Sequence, residues 1–153
     1  MKHLIFVLLA VVIAFPLLGQ HCGNCESQNQ AHNLSKQTAS APVLKEGKKL
    51  SINNDYYLVY SWQKKPKIGM AVLIVDIYRS KDNKRSDDFS VTANAYMPSM
   101  RGAHDTGDRF LKRNKNKRYL TEVNFMMLGD WEIELKVAKN NRELFNGLIQ
   151  TKI

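Results

Sequence analysis

Trp131-Glu132-Ile133-Glu134-Leu135-Lys136-Val137 decides the fold. Its apolar residues alternate with charged ones, a period of two that puts one set on a buried face and the other in water, so the segment is a half-buried strand. Asn140-Asn141 turns the chain, and Glu143 to Thr151 returns as a last strand through Leu144 or Phe145 to Ile149. Upstream, Tyr56 to Gln63 and Ile68 to Arg79 are rich in β-branched and aromatic residues and flank the turn Lys64-Lys65-Pro66-Lys67, which makes them two more strands. In the second of these, Ala71, Leu73, Val75 and Ile77 form the expected core face, opposite Met70, Val72, Ile74 and Asp76.

After the turn Lys81-Asp82-Asn83-Lys84, a strand runs from Phe89 to Tyr96 through Val91, Ala93 and Ala95, and Pro98 ends it. Arg109 to Lys112 and Arg118 to Phe125 then flank Asn114-Lys115-Asn116 as a hairpin whose basic run, Lys112 to Arg118, reads as a solvated tip. Six or seven short strands with polar turns, and no amphipathic helix, predict an all-β sandwich or small barrel.

The N-terminus has a different character. Leu4 to Leu18 is a hydrophobic run with Pro16 late in it, preceded by Lys2 and followed by Gly19, Gln20 and His21. That is a secretory signal pattern. It is short beside the roughly 20 apolar residues of a spanning helix, so residues 1–19 are expected to be a signal peptide, cleaved after Gly19, or a membrane anchor if uncut. Export to the periplasm or another extracytoplasmic space follows. Cys22 does not directly follow a small residue, which argues against lipidation. Residues 20–49, polar and without apolar periodicity, are expected to be a flexible tether, and residues 50–153 the folded domain.

The net charge is +9, and +8 over residues 20–153, which hold 22 Lys and Arg against 14 Asp and Glu. Such a balance favours anionic surfaces. No aromatic ladder accompanies it, as single-stranded nucleic acid requires, so nucleic acid is not an expected partner.

Chemistry concentrates in Tyr96-Met97-Pro98-Ser99-Met100-Arg101-Gly102-Ala103-His104, where two thioethers and an imidazole share one loop. Both groups suit copper(I), and neither has to lose a proton near neutrality to coordinate it. Met126 and Met127 offer further sulfurs. Two readings stay open for the methionines: Met97, Met100, His104 and Met127 as a soft-metal site, or Met97 and Met100 as flexible filler at one end of the core with Trp131 packed across it. His104 has Arg101, Asp105 and Asp108 as candidate hydrogen-bond neighbours. Gly129, before Asp130-Trp131, reads through backbone geometry, a tight approach into the strand that calls for a residue free of Cβ restraint.

The order of a strand, Met97-Pro98-Ser99-Met100 with nearby His104, a hairpin ending in Tyr119 to Phe125, and Met127-Leu128-Gly129-Asp130-Trp131 resembles the YtkA-like family, which includes FixH-type proteins of cytochrome oxidase assembly. The hallmarks are Met-Pro-x-Met followed by Gly-His, and a later Met-x-Gly-x-Trp. Here Arg101-Gly102-Ala103-His104 stands where the family pattern often runs straight into Gly-His, while the second segment keeps its spacing. The resemblance, over roughly Tyr56 to Val137, implies an exported or membrane-attached immunoglobulin-like β-sandwich that handles copper or another heavy metal. It implies no known reaction.

His21-Cys22-Gly23-Asn24-Cys25 is a second candidate, with Cys22 and Cys25 close enough to form a small-ring disulfide or hold one soft metal. It is not placed at a helix start within a βαβ unit, as thiol redox chemistry requires. As a flexible hook it would pass metal to or from the domain, with His32 assisting. Asp87-Asp88 falls in a turn and Glu132 and Glu134 on a wet strand face, so no catalytic set is expected and the chain reads as non-enzymatic. The expected function is an accessory or binding module, with a metal donor or acceptor or a membrane-associated complex as partner. The alternative is an interaction domain whose basic hairpin meets an anionic partner.

Overall fold

The computed structural model describes residues 41–153. The hydrophobic run at the N-terminus, Cys22, Cys25 and His32 lie outside the described residues. Ten strands follow one another: β1 (Val43–Leu44), β2 (Leu50–Ser51), β3 (Tyr56–Trp62), β4 (Gly69–Arg79), β5 (Ser90–Tyr96), β6 (Arg109–Phe110), β7 (Lys112–Arg113), β8 (Tyr119–Phe125), β9 (Asp130–Lys139) and β10 (Arg142–Lys152). Six of them, β3, β4, β5, β8, β9 and β10, have seven residues or more, and they are the strands that alternation predicts. The other four have two residues each and stand at the edges of the two sheets.

One sheet has the order β1-β10-β9-β5-β6 and the other β2-β3-β4-β8-β7. All pairings are antiparallel except β1 with β10. The two sheets form a sandwich, and the pleat sends alternate residues of each into the space between them. From β4 these are Ala71, Leu73, Val75 and Ile77, as the alternation predicts, and from β9 they are Trp131, Ile133, Leu135 and Val137. A bulge between Glu143 and Phe145 sets the return strand so that Phe145, rather than Leu144, is the buried residue. Asn140 and Asn141 both hold positive φ, 51° and 61°, as a two-residue hairpin turn requires. Among the described residues no helix is long and apolar enough to cross a membrane.

Three features depart from the sequence reading. The sandwich takes in residues assigned to the tether: Val43 and Leu44 pair in parallel with Leu148 and Ile149, and Leu44 is buried in the core. A two-residue strand is too short to show a period, which is why it is invisible in the sequence. The stretch Arg109 to Arg113 is not one hairpin arm either. Its first half pairs with β5 and its second with β8, so the chain changes sheets at Leu111, whose side chain is buried.

The third departure concerns charge. Arg118 is not part of a solvated tip. Its guanidinium donates two hydrogen bonds to the Asp76 carboxylate, Nε to Oδ1 and Nη2 to Oδ2, each at 2.9 Å, and Arg85 adds a third at 3.1 Å. Asp76 is the single charged residue among the buried ones described. It sits on the outer face of β4, where the paired arginines tie β8 and the segment after β4 to the middle strand. A second tie crosses between the sheets: the Tyr119 hydroxyl accepts from the Phe89 N–H and donates to the Phe89 carbonyl. Burial raises the Tyr119 phenol above its ordinary pKa.

Two measurements check this account. Asp76→Ala leaves two arginines turned toward a vanished acceptor, and urea denaturation should show a loss of about 2–4 kcal/mol. A chain beginning at Leu50 loses β1 and the buried Leu44, so it should melt about 10 °C below one beginning at Ala41; equal melting points would mean that β1 contributes nothing to the core.

Candidate functional site

β5 ends at Tyr96, and Pro98–Met100 forms one turn of 3-10 helix with Pro98 at its start, where a missing N–H does no harm. The turn continues loosely, since Met100 N–H bonds to the Met97 carbonyl and Ala103 N–H to the Met100 carbonyl. The loop then closes on its own stem. Thr106 N–H donates to the Ala95 carbonyl, and the Thr106 hydroxyl accepts from Ala95 N–H at 2.9 Å. Residues 97–105 are thus held at both ends on β5.

The methionines of this loop have opposite fates. Met97 is buried, and its Cε lies 2.7 Å from where a Cβ on Gly129 would stand. Gly129 has φ +140°, a conformation that side chains rarely adopt, and exchanges two backbone hydrogen bonds with Ile153. The expected close approach at Gly129 is therefore made by the Met97 methyl group. Met100, by contrast, is exposed.

The other segment is built around Trp131. The indole is fully buried, meets Phe125 edge-on at 5.3 Å, and donates its N–H to the Met127 carbonyl at 3.2 Å. This fixes the short connection from β8 to β9. Within it Met127 is half-buried against the core, whereas Met126 and Leu128 project into solvent.

His104 is half-buried. The three neighbours expected to hold it are occupied elsewhere: Arg101 lies over the Tyr96 ring, Asp105 accepts from Gly107 N–H, and Asp108 pairs with Lys136. Burial, with the Glu132 carboxylate beside it, raises the Tyr96 phenol above its ordinary pKa. Among the described residues, no three His, Cys, Asp or Glu side chains gather as a metal site; thioethers stand outside that count.

The structure thus brings Met97 against Gly129, two residues after Met127, and Met100 and His104 follow Met97 on the same loop. Cys22 and Cys25 lie outside the described residues. In the basic hairpin Arg113 and Lys117 share Asp87, and Arg118 shares Asp76 with Arg85, while Lys112 and Lys115 have no carboxylate partner among the described residues. Glu132 and Glu134 each accept a hydrogen bond from a β10 amide, Gln150 and Asn146 respectively. What the sequence reading passed over is the exposure of Ile68, Met70 and Leu128 at this end, for which the neighbouring lysine turn was the available signal.

The opposite burial of the methionines has a direct check. Met97→Ala should cost about 2–5 kcal/mol of stability, whereas Met100→Ala should stay within about 0.5 kcal/mol of the parent in the same denaturation experiment. Equal effects would contradict the packing described.

In comparison with known proteins, the family model described as YtkA-like matches residues 52–136. That span contains Met97, Met100, His104, Met127 and Trp131. No curated protein and no solved structure matches the chain.

Proposed function

Because the chain belongs to the YtkA-like family, we propose that it is an exported, non-enzymatic accessory module whose working surface is the loop end of the sandwich, and that copper(I) is its cargo. The observation that supports this most is the meeting of the two methionine segments through Met97 and Gly129. Contact between those segments sets thioethers and an imidazole at one end of a rigid scaffold, and these are soft and borderline donors of the kind copper(I) takes.

Within that set the roles divide by burial. Met97 is the packing element that holds the loop against β9, and Met100, His104 and Met127 are the donors, since Met100 is open to solvent and the other two are half-buried. Three neutral donors need no ionisation to bind, which suits transfer outside the cytoplasm. Residues 4–18 direct export, and Cys22 and Cys25, at the start of the tether, serve as a secondary hook that delivers or receives the ion.

Competition with a chromophoric chelator under anaerobic conditions tests the proposal on a chain beginning at Ala41, which keeps β1 and omits both cysteines. The expected result is one-to-one copper(I) binding, weakened at least tenfold by Met100→Leu combined with His104→Ala, with melting temperature unchanged. No competition by the parent chain would overturn the sandwich site, and restored competition on adding residues 20–40 would move the cargo to the cysteine hook.

A further inference from the structure

Ile68, Met70, Met126 and Leu128 expose more than half of their surface, Leu128 as much as 68 %. All four belong to one end of the sandwich. Gly69 pairs with Phe125 where β4 begins and β8 ends, and β9 starts a few residues later at Asp130. The turn before β4 and the connection after β8 therefore emerge side by side, with the loop after Tyr96 beside them because Tyr96 pairs with Glu132 near the start of β9. Met100, on that loop, is also exposed. The other exposed large apolar side chains among the described residues are Val43, on edge strand β1 of the other sheet, and Phe110, which lines a cleft with Gln63 and Val72 next to Met70.

The turn at this end carries Lys64, Lys65 and Lys67, all exposed. None of them pairs with a carboxylate among the described residues, whereas Arg113, Lys117 and Arg118 of the hairpin do. Glu46 is engaged with the Trp62 N–H at the end of β3, and Glu122, opposite Val72 on β8, is exposed on the outer face of the sheet. Asp130, at the start of β9, faces Lys152.

We infer that this end docks on an anionic bilayer surface, the lysines among the headgroups and the four apolar side chains at the headgroup–acyl boundary. Two features favour lipid over protein. Three of the apolar groups stand on two turns that leave the sandwich side by side, with Met70 at the start of β4 next to them, and the cations beside them are lysines, which protein interfaces disfavour. Lysine supplies mobile point charges, which match a fluid layer of phosphates, and a cluster of them beside apolar side chains is the pattern of an interfacial anchor. The docking needs none of the proposed copper donors, so it stands or falls independently of copper.

The test uses the full chain with Cys22→Ser and Cys25→Ser, labelled with an environment-sensitive fluorophore on the thiol from Ser99→Cys, at this end, or from Lys81→Cys, at the opposite one. Each protein is mixed with vesicles of phosphatidylcholine alone or with phosphatidylglycerol added, carrying a headgroup-depth quencher. The N-terminal run is common to all variants, so attachment through it favours neither label. On anionic vesicles the Ser99 label should shift to the blue and be quenched while the Lys81 label stays in water, and Lys64→Glu with Lys65→Glu and Lys67→Glu should raise the lipid needed for half the response at least tenfold. Equal response of the two labels, equal response on both kinds of vesicle, or a Ser99 label that stays in water would each overturn the inference. Burial of that label as protein concentration rises without lipid would identify a second copy of the chain as the occupant instead, and would overturn it too.

Discussion

The edge-to-face contact between Trp131 and Phe125 is the constraint on which the loop end rests. Phe125 is the last residue of β8 in one sheet, and Trp131 is the second residue of β9 in the other. Trp62 closes on Phe125 from β3 at 5.8 Å, so three aromatic rings from three strands fill the end of the core. With both rings buried, the chain must cross between sheets in the few residues from Met126 to Gly129. The indole N–H, which has to find a partner once buried, takes the Met127 carbonyl and fixes the shape of that crossing. Gly129 follows in a conformation suited to glycine, and the space left by its missing Cβ is occupied by Met97. The position of the methionine loop is therefore a consequence of aromatic packing some residues away.

Charge is used unevenly over the surface. The outer face of β4 buries a carboxylate, and two arginines are spent on it; another anion, Asp87, takes Arg113 and Lys117. A basic run that looks uniform in the sequence is thus divided: Arg118 serves the buried Asp76, Arg113 and Lys117 share Asp87 at the surface, and Lys112 and Lys115 are exposed without such a partner. The lysines of the turn between β3 and β4 have no such role. Net charge alone does not distinguish the two groups, because the distinction depends on which acids the sheet register carries to each of them.

This marks where the sequence is legible. Alternation identifies the faces of β4 and β9 residue by residue, and the paired methionine segments point to the family, because both signals are local. Leu44 is missed because its strand has two residues, and the change of sheet at Leu111 because one inward residue between two edge strands leaves no pattern. Met97 and Met100 are chemically identical three positions apart, and only the 3-10 turn after Tyr96 sends one inward and the other out. The partners of Asp76 and the surroundings of His104 depend on contacts across 42 positions for Arg118 and on a loop closed by Thr106, and neither is written in any short window.

All four strands at the edges of the sheets are two residues long. Along the outer side of β5, Leu111 and Thr106 donate to Val91 and Ala95, and along β3, Gly47 donates to Tyr60 while Glu46 receives the Trp62 N–H. These interactions occupy backbone groups that would otherwise template a neighbouring chain. Blocking is uneven, because β7 pairs with only Tyr119 and Leu120 of β8 and β1 with only Leu148 and Ile149 of β10, so any lateral growth of the sheets would start along β8 or β10 and not along β3 or β5.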